Sequence, residues 1–188
     1  GFNGALPQIL KKSGTDYLLT IKISWNKYNK FPYHTFNWRG IDGSEVLVHM
    51  PPEGTYNSAV SPSSVRAAEK NYAEKGVCPE AVILYGIGDG GGGPGEEHLE
   101  RLARERDLSG LPPVIPGSTV DFFDRIAAEA ADYPVYKGEL YLEKHQGTYT
   151  TQSRNKYYNR LLERLLRECE LLSSAAFVLR GAPYKGRA

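Results

Sequence analysis

The sequence predicts an α/β fold that gives way to a helical region near residue 150. Three observations carry this expectation. A short helical pattern at Gly4 to Gly14 is followed at once by a β-prone run at Asp16 to Ser24, the helix-then-strand order of a layered α/β architecture. Ala81-Val-Ile-Leu-Tyr85 is a continuous apolar run that ends in a glycine-rich loop and then a helix, as expected of a strand buried on both faces of a parallel sheet. After about Gln152, Tyr158, Leu161, Leu162, Leu165, Leu166, Cys169 and Leu172 recur at three-and-four spacing, the apolar stripe of a bundle helix.

The 188 residues give room for one domain with a sizeable core or for parts of two. A net charge of +1 offers no global field for nucleic acid or an anionic membrane, so neither is expected as a partner. No uncharged apolar run reaches membrane-spanning length, and no signal-peptide pattern opens the chain. Cys78 and Cys169 are too few for a disulfide framework and favour a reducing, cytoplasmic compartment. A first residue of Gly1, with Met50 as the sole methionine, points to a piece of a longer protein.

In chain order, Gly4 to Gly14 reads as a helix stopped by Gly14, with Ala5, Leu6, Ile9 and Leu10 inward. Asp16 to Ser24 reads as a strand. Trp25 to Gly43 reads as a long loop carrying Trp25, Tyr28, Phe31, Tyr33, His34, Phe36 and Trp38. Its rings either fill a core beneath the loop or form a wall for a sugar, because aromatic faces suit the C–H face of a pyranose. Glu45 to Met50 alternates as a second strand with Val46, Val48 and Met50 on one face, stopped by Pro51-Pro52. Ser61-Pro62 opens a helix expected to reach Lys75, and another spans Glu96 to about Arg106. Ser118 caps a helix with Val120, Phe122, Phe123, Ile126 and Ala127 inward and Asp121 at the acidic position of a capping box. On the long C-terminal helix Arg160–Glu163 and Arg164–Glu168 stand at pairing distance, and Cys169 lies on the stripe as a core residue.

Two stretches could carry chemistry. Gly86-Ile-Gly-Asp89-Gly-Gly-Gly-Gly-Pro94 follows the carboxyl end of a predicted strand, where α/β proteins place ligand sites. It lacks the Lys-Ser/Thr of a phosphate-binding loop, and Asp89 would repel a pyrophosphate. The glycines instead allow close backbone approach around one fixed carboxylate, or else form a plain surface loop. The second stretch, Leu140-Tyr141-Leu142, leads to His145 and a turn at Gly147. It sets a histidine at a strand end facing a cleft, or merely in a loop.

Taken together, Phe31-Pro-Tyr-His-Thr-Phe-Asn-Trp38 with Gly40-Ile-Asp-Gly-Ser44, Gly86 to Pro94, and Glu139-Leu-Tyr-Leu-Glu-Lys-His-Gln-Gly-Thr-Tyr-Thr-Thr-Gln152 resemble glycoside hydrolase family 38. The similarity is to the cytosolic and bacterial type of α-mannosidase, and Gly4 to Gly14 fits that type as well. The resemblance implies a seven-stranded α/β barrel, related to those of other glycoside hydrolases and deacetylases, that holds one zinc ion and runs into a three-helix bundle. Residues 1–150 would be the later part of the barrel and residues 151–188 the start of the bundle.

The activity so implied is a retaining, zinc-dependent exo-α-mannosidase acting on terminal α-mannosides of glycans, with a homo-oligomer allowed for the full-length protein. By matching motif, Asp89 would be the general acid/base and His145 a zinc ligand, with His34, Trp38 and Tyr149 as sugar-site candidates. The family's His-x-Asp zinc pair is absent, and Gly1-Phe2 resembles the sequence just after its nucleophilic aspartate. The chain alone is therefore expected not to turn over. A carbohydrate-binding module degenerate in catalysis and a zinc-dependent deacetylase on a related barrel are the alternatives.

Overall fold

The structure, a computed structural model, describes residues 1–144 and 153–184. The chain divides into two compact units, Gly1–Lys144 and His145–Ala188.

The first unit is a mixed α/β assembly around four strands. Helix α1, Leu6–Lys12, starts with a proline in its first turn, and the Ser13 hydroxyl donates to the Ile9 carbonyl before Gly14 turns the chain at φ 77°. Strand β1, Tyr17–Leu19, covers only the first part of the predicted run. The chain then tightens into a 3₁₀ turn, Lys22–Trp25. Ile21 and Ile23 beside and within this turn are both buried.

Strand β2, Thr35–Arg39, lies within the segment expected to be all loop. Its Phe36 and Trp38 alternate onto one face and are fully buried. Strand β3 is Glu45–His49, and β4 is Val135–Lys137. The sheet order is β1-β3-β2-β4. β1 runs parallel to β3 with Tyr17 opposite Leu47, β2 antiparallel to β3 with Thr35 opposite His49, and β4 parallel to β2 with Trp38 opposite Tyr136.

Alternation along β3 divides the core. Val46, Val48 and Met50 face Ile23, Phe36, Trp38, Leu140 and Leu142, as their spacing predicts. Leu47 faces the opposite side with Tyr72, Cys78, Phe122, Phe123, Ile126 and Tyr133. Phe122, Phe123 and Ile126 of that second side come from α4, Thr119–Ile126, whose cap is the Ser118 oxygen accepting from the Asp121 N–H at 3.1 Å. Val120, expected inward, is exposed, as is Ile9 of α1.

Helix α2 is Pro62–Asn71, capped by Ser61, and stops four residues short of Lys75. Tyr72 leaves helical geometry there and its ring enters the second core. Helix α3 is Glu96–Glu105.

Ala81 to Tyr85 is not a strand buried on both faces. It makes one parallel bridge, Ser58 with Tyr85, and its side chains remain half-buried or exposed. The neighbouring stretch, Pro51 to Pro62, is rich in proline, glycine and hydroxyl residues and supplies no second extended strand.

In the second unit the described residues form α5, Ser153–Arg180. Arg160 pairs with Glu163 at 2.6 Å and Arg164 with Glu168 at 3.7 Å, at the positions their spacing predicts. Leu162, Leu165, Leu166 and Leu172 of the stripe are exposed, and so is Cys169, expected as a core residue. A stripe fills a core only where other elements cover it.

Candidate functional site

Asp89 stands exposed at the centre of the glycine loop, with a left-handed backbone (φ 59°) unusual outside glycine. The loop is closed on itself by reciprocal bonds, Ile87 N–H to the Gly92 carbonyl at 3.2 Å and Gly92 N–H to the Ile87 carbonyl at 3.0 Å. A Cβ at Gly92 would sit 2.8 Å from that of Ile87, so this closure requires glycine.

The segment Thr55-Tyr56-Asn57 grips the loop from outside. The Tyr56 hydroxyl donates to Asp89 Oδ1 at 2.8 Å, and the Gly88 N–H donates to Asn57 Oδ1 at 2.5 Å. Thr55 Oγ1 holds Asn57 by accepting its N–H at 3.0 Å. A Cβ at Gly88 would collide with the Tyr56 ring, so a bare backbone is what admits the phenol to Asp89. The bond to Asp89 pushes the Tyr56 phenol above its ordinary pKa, which keeps it a donor. Nothing local in the sequence marks Tyr56 or Asn57, which lie more than thirty residues before Asp89.

A trail of contacts runs from Tyr56 to the segment preceding His145. Tyr56 meets Trp25 at 6.1 Å between ring centroids, and Lys22 Nζ lies 3.9 Å over the Trp25 ring. Next to Trp25, the Asn26 side-chain amide donates to the Tyr141 carbonyl at 2.9 Å and accepts the Glu143 N–H at 3.0 Å. The Glu143 carboxylate then accepts from the backbone N–H groups of Lys27, Tyr28 and Asn29 at 2.7–2.8 Å and from the Asn29 side chain at 2.7 Å. These donors, the Tyr28 amide foremost, hold Glu143 down to a pKa of about 2. Phe2 and Leu140 exchange backbone bonds at 2.8 and 2.9 Å, so the chain's first residues lie along the same segment.

Of the other predicted site residues, His34 and Trp38 lie among the described residues. Half-buried His34 accepts the Ala73 N–H at its Nδ1 (3.2 Å), and burial lowers its pKa. Its own N–H and that of Thr35 reach the buried Glu74 carboxylate, each at 2.9 Å. Trp38 is fully buried in the first core, its indole N–H donating to the Gly138 carbonyl at 2.7 Å. This placement supports the core-filling reading of that ring over a sugar contact. His145 and Tyr149 lie outside the described residues.

The zinc implied by the resemblance finds no holder among the described residues, where no group of three or more His, Cys, Asp or Glu is arranged to bind a metal. An open cleft of about 390 Å³ lined by Tyr17, Leu19, Val120 and Phe123 includes none of the candidate residues.

The family model described as the glycosyl hydrolases family 38 N-terminal domain matches residues 1–139, and that of the alpha mannosidase middle domain matches residues 143–187. The chain belongs to glycoside hydrolase family 38. It is similar to Alpha-mannosidase 2C1 of Homo sapiens, 44% identical over 176 residues that cover 94% of this chain and 17% of that protein. Alpha-mannosidase G of Dictyostelium discoideum is 41% identical over 174 residues, 93% of this chain and 16% of the relative. Alpha-mannosidase of Saccharomyces cerevisiae is 41% identical over 194 residues, 98% and 18% respectively. The chain thus spans less than a fifth of the length of these relatives. Among the described residues, no helix of this family 38 chain is long and apolar enough to cross a membrane.

Proposed function

We propose that the protein to which this chain belongs is a retaining, zinc-dependent exo-α-mannosidase acting on terminal α-mannosides of glycans in the cytoplasm. Residues 1–150 contribute the later part of its seven-stranded barrel, and residues 151–188 open its three-helix bundle. The observation that carries the reading is an exposed carboxylate, Asp89, on a glycine-closed loop with one oxygen held by a phenol. Family membership and the names of the relatives support it.

In this reading Asp89 is the general acid/base. It gives its proton to the glycosidic oxygen as the C1–O bond breaks and a nucleophilic carboxylate from outside this chain joins C1. It then takes a proton from the water whose oxygen displaces that carboxylate. His145 is one zinc ligand, the others lying outside these residues, and a bound zinc would orient the sugar hydroxyls. His34 and Tyr149 remain sugar-site candidates, and the full-length protein assembles as a homo-oligomer or acts alone.

The test is hydrolysis of p-nitrophenyl α-mannoside and of a mannobiose by the full-length protein, with and without a chelator. Chelator-sensitive release is expected. Asp89→Asn should slow mannobiose hydrolysis by about 10²- to 10⁴-fold, the range for loss of a general acid/base. Undiminished mannobiose turnover in that variant would exclude Asp89 from the role.

A further inference from the structure

Proton transfer from one oxygen of a carboxyl group depends on what holds the other. We propose that Tyr56 is the positioning residue of Asp89, its hydroxyl holding Oδ1 so that Oδ2 faces the leaving oxygen of the substrate. The inference rests on the reading of Asp89 as general acid/base.

Three features make this a built contact. The hydroxyl-to-Oδ1 distance is 2.8 Å, within the normal range for a bond of this type. Gly88 is bare where the Tyr56 ring crosses the loop, and Asn57, the next residue, fixes the Gly88 N–H. Asp89 is held in a left-handed conformation that turns its side chain toward this grip. Two consecutive residues of one segment therefore hold two consecutive residues of the other.

The contact also has a catalytic consequence. While Asp89 carries its proton the phenol bonds to a neutral carboxyl, and as the proton moves to the glycosidic oxygen that bond becomes charge-assisted and stronger. An interaction that strengthens on the way to the transition state accelerates the chemical step. In the second half-reaction Asp89 Oδ2 takes the proton of the attacking water while Oδ1 stays held. Tyr56 keeps its own proton throughout, its phenol being pushed up by the same bond.

The test uses the full-length, zinc-loaded protein and two mannosides, mannobiose with a poor leaving group and 2,4-dinitrophenyl α-mannoside with a good one. Tyr56→Phe keeps the ring against Gly88 and loses only the hydroxyl. It should lower kcat/KM for mannobiose by about 10- to 100-fold and for the dinitrophenyl substrate by about twofold or less, because only the first needs the acid. In an Asp89→Gly background, which suits the left-handed backbone, adding Tyr56→Phe should change neither rate. Equal losses on the two substrates, or the same loss with and without Asp89, would make Tyr56 a merely structural residue and overturn the proposal.

Asp89→Gly itself separates the two readings. It should show the steep leaving-group dependence and regain dinitrophenyl turnover with azide, which bonds to C1 in place of water and needs no base. If Asp89→Gly shows neither, the acid/base reading falls and this proposal with it. If it shows both while Tyr56→Phe is flat, only the positioning role falls. Gly88→Ala pushes the ring off Asp89 without touching the hydroxyl and should reproduce the Tyr56→Phe signature. It decides the matter if Tyr56→Phe does not fold, and its failure to do so would overturn the proposal.

Discussion

At the scale of single residues, the clearest case of environment setting chemistry is His49. It is fully buried, and its Nε2 accepts the Val82 N–H at 3.1 Å, so its proton sits on Nδ1 and is donated to Thr35 Oγ1 at 2.9 Å. Thr35 Oγ1 in turn meets the Tyr72 hydroxyl at 2.6 Å. Burial, and secondarily the nearness of His34, lowers the His49 pKa to about 3. Above pH 6.5 the imidazole is neutral folded or unfolded and contributes no pH dependence. Below it the unfolded chain takes up a proton that the fold refuses, so stability falls with acid until about pH 3, where the folded state is protonated too. The slope from this one group approaches about 1.4 kcal/mol per pH unit. Denaturant unfolding between pH 7 and 4 should show that slope in the parent and lose it in His49→Gln; an unchanged slope would mean that other groups govern acid stability. Asp89, by contrast, is singled out in the sequence by its glycine setting, which a plain surface loop would also give, and its role comes from the family resemblance. Tyr56 is not singled out, because a side chain reaching across the fold leaves no periodic trace in sequence.

At the scale of elements, legibility followed local pattern and failed where a neighbour decided the outcome. Helix α4 was legible because its cap and its Phe122, Phe123 and Ile126 face are contained in nine residues. Strand β2 was not, since its five residues sit among rings that also suit a loop, and it is β3 and β4 on either side that make it central. The 81–85 run failed the other way, an apolar pattern without a strand beside it among the described residues. The Glu143 clamp is another tertiary device, one carboxylate ordering four donors of the Lys27–Asn29 turn. Successive backbone N–H groups around an anion form a nest whose shape depends on the charge. Glu143→Gln should therefore speed amide hydrogen exchange at Lys27, Tyr28 and Asn29, read by NMR or mass spectrometry, while leaving the amides of β3 unchanged. Equal exchange in the two proteins would show that the turn holds its shape without the carboxylate.

At the scale of the whole molecule, α5 poses the question that its own sequence cannot answer. Its start and outer ion pairs were legible, because the stripe and the charge spacing are repeats within one helix. What covers its stripe was not, since cover is a property of other segments. Leu162, Leu166 and Leu172 are each more than half exposed, and Leu165 is 40% exposed, a face that an isolated helix in water gains nothing by forming. Residues 143–187 match the alpha mannosidase middle domain. If α5 is the first helix of a three-helix bundle, Leu165 and Leu166 differ from Arg164 in what surrounds them in the complete protein. Leu165→Glu or Leu166→Glu should then lower its unfolding free energy by about 2–4 kcal/mol, through lost apolar burial and an unpaired buried carboxylate. Arg164→Glu on the outer face should cost about 0.5 kcal/mol or less. Thermal or denaturant unfolding of the full-length protein decides this, and equal small effects at all three positions would mean that the stripe stays in water and α5 is not a bundle helix.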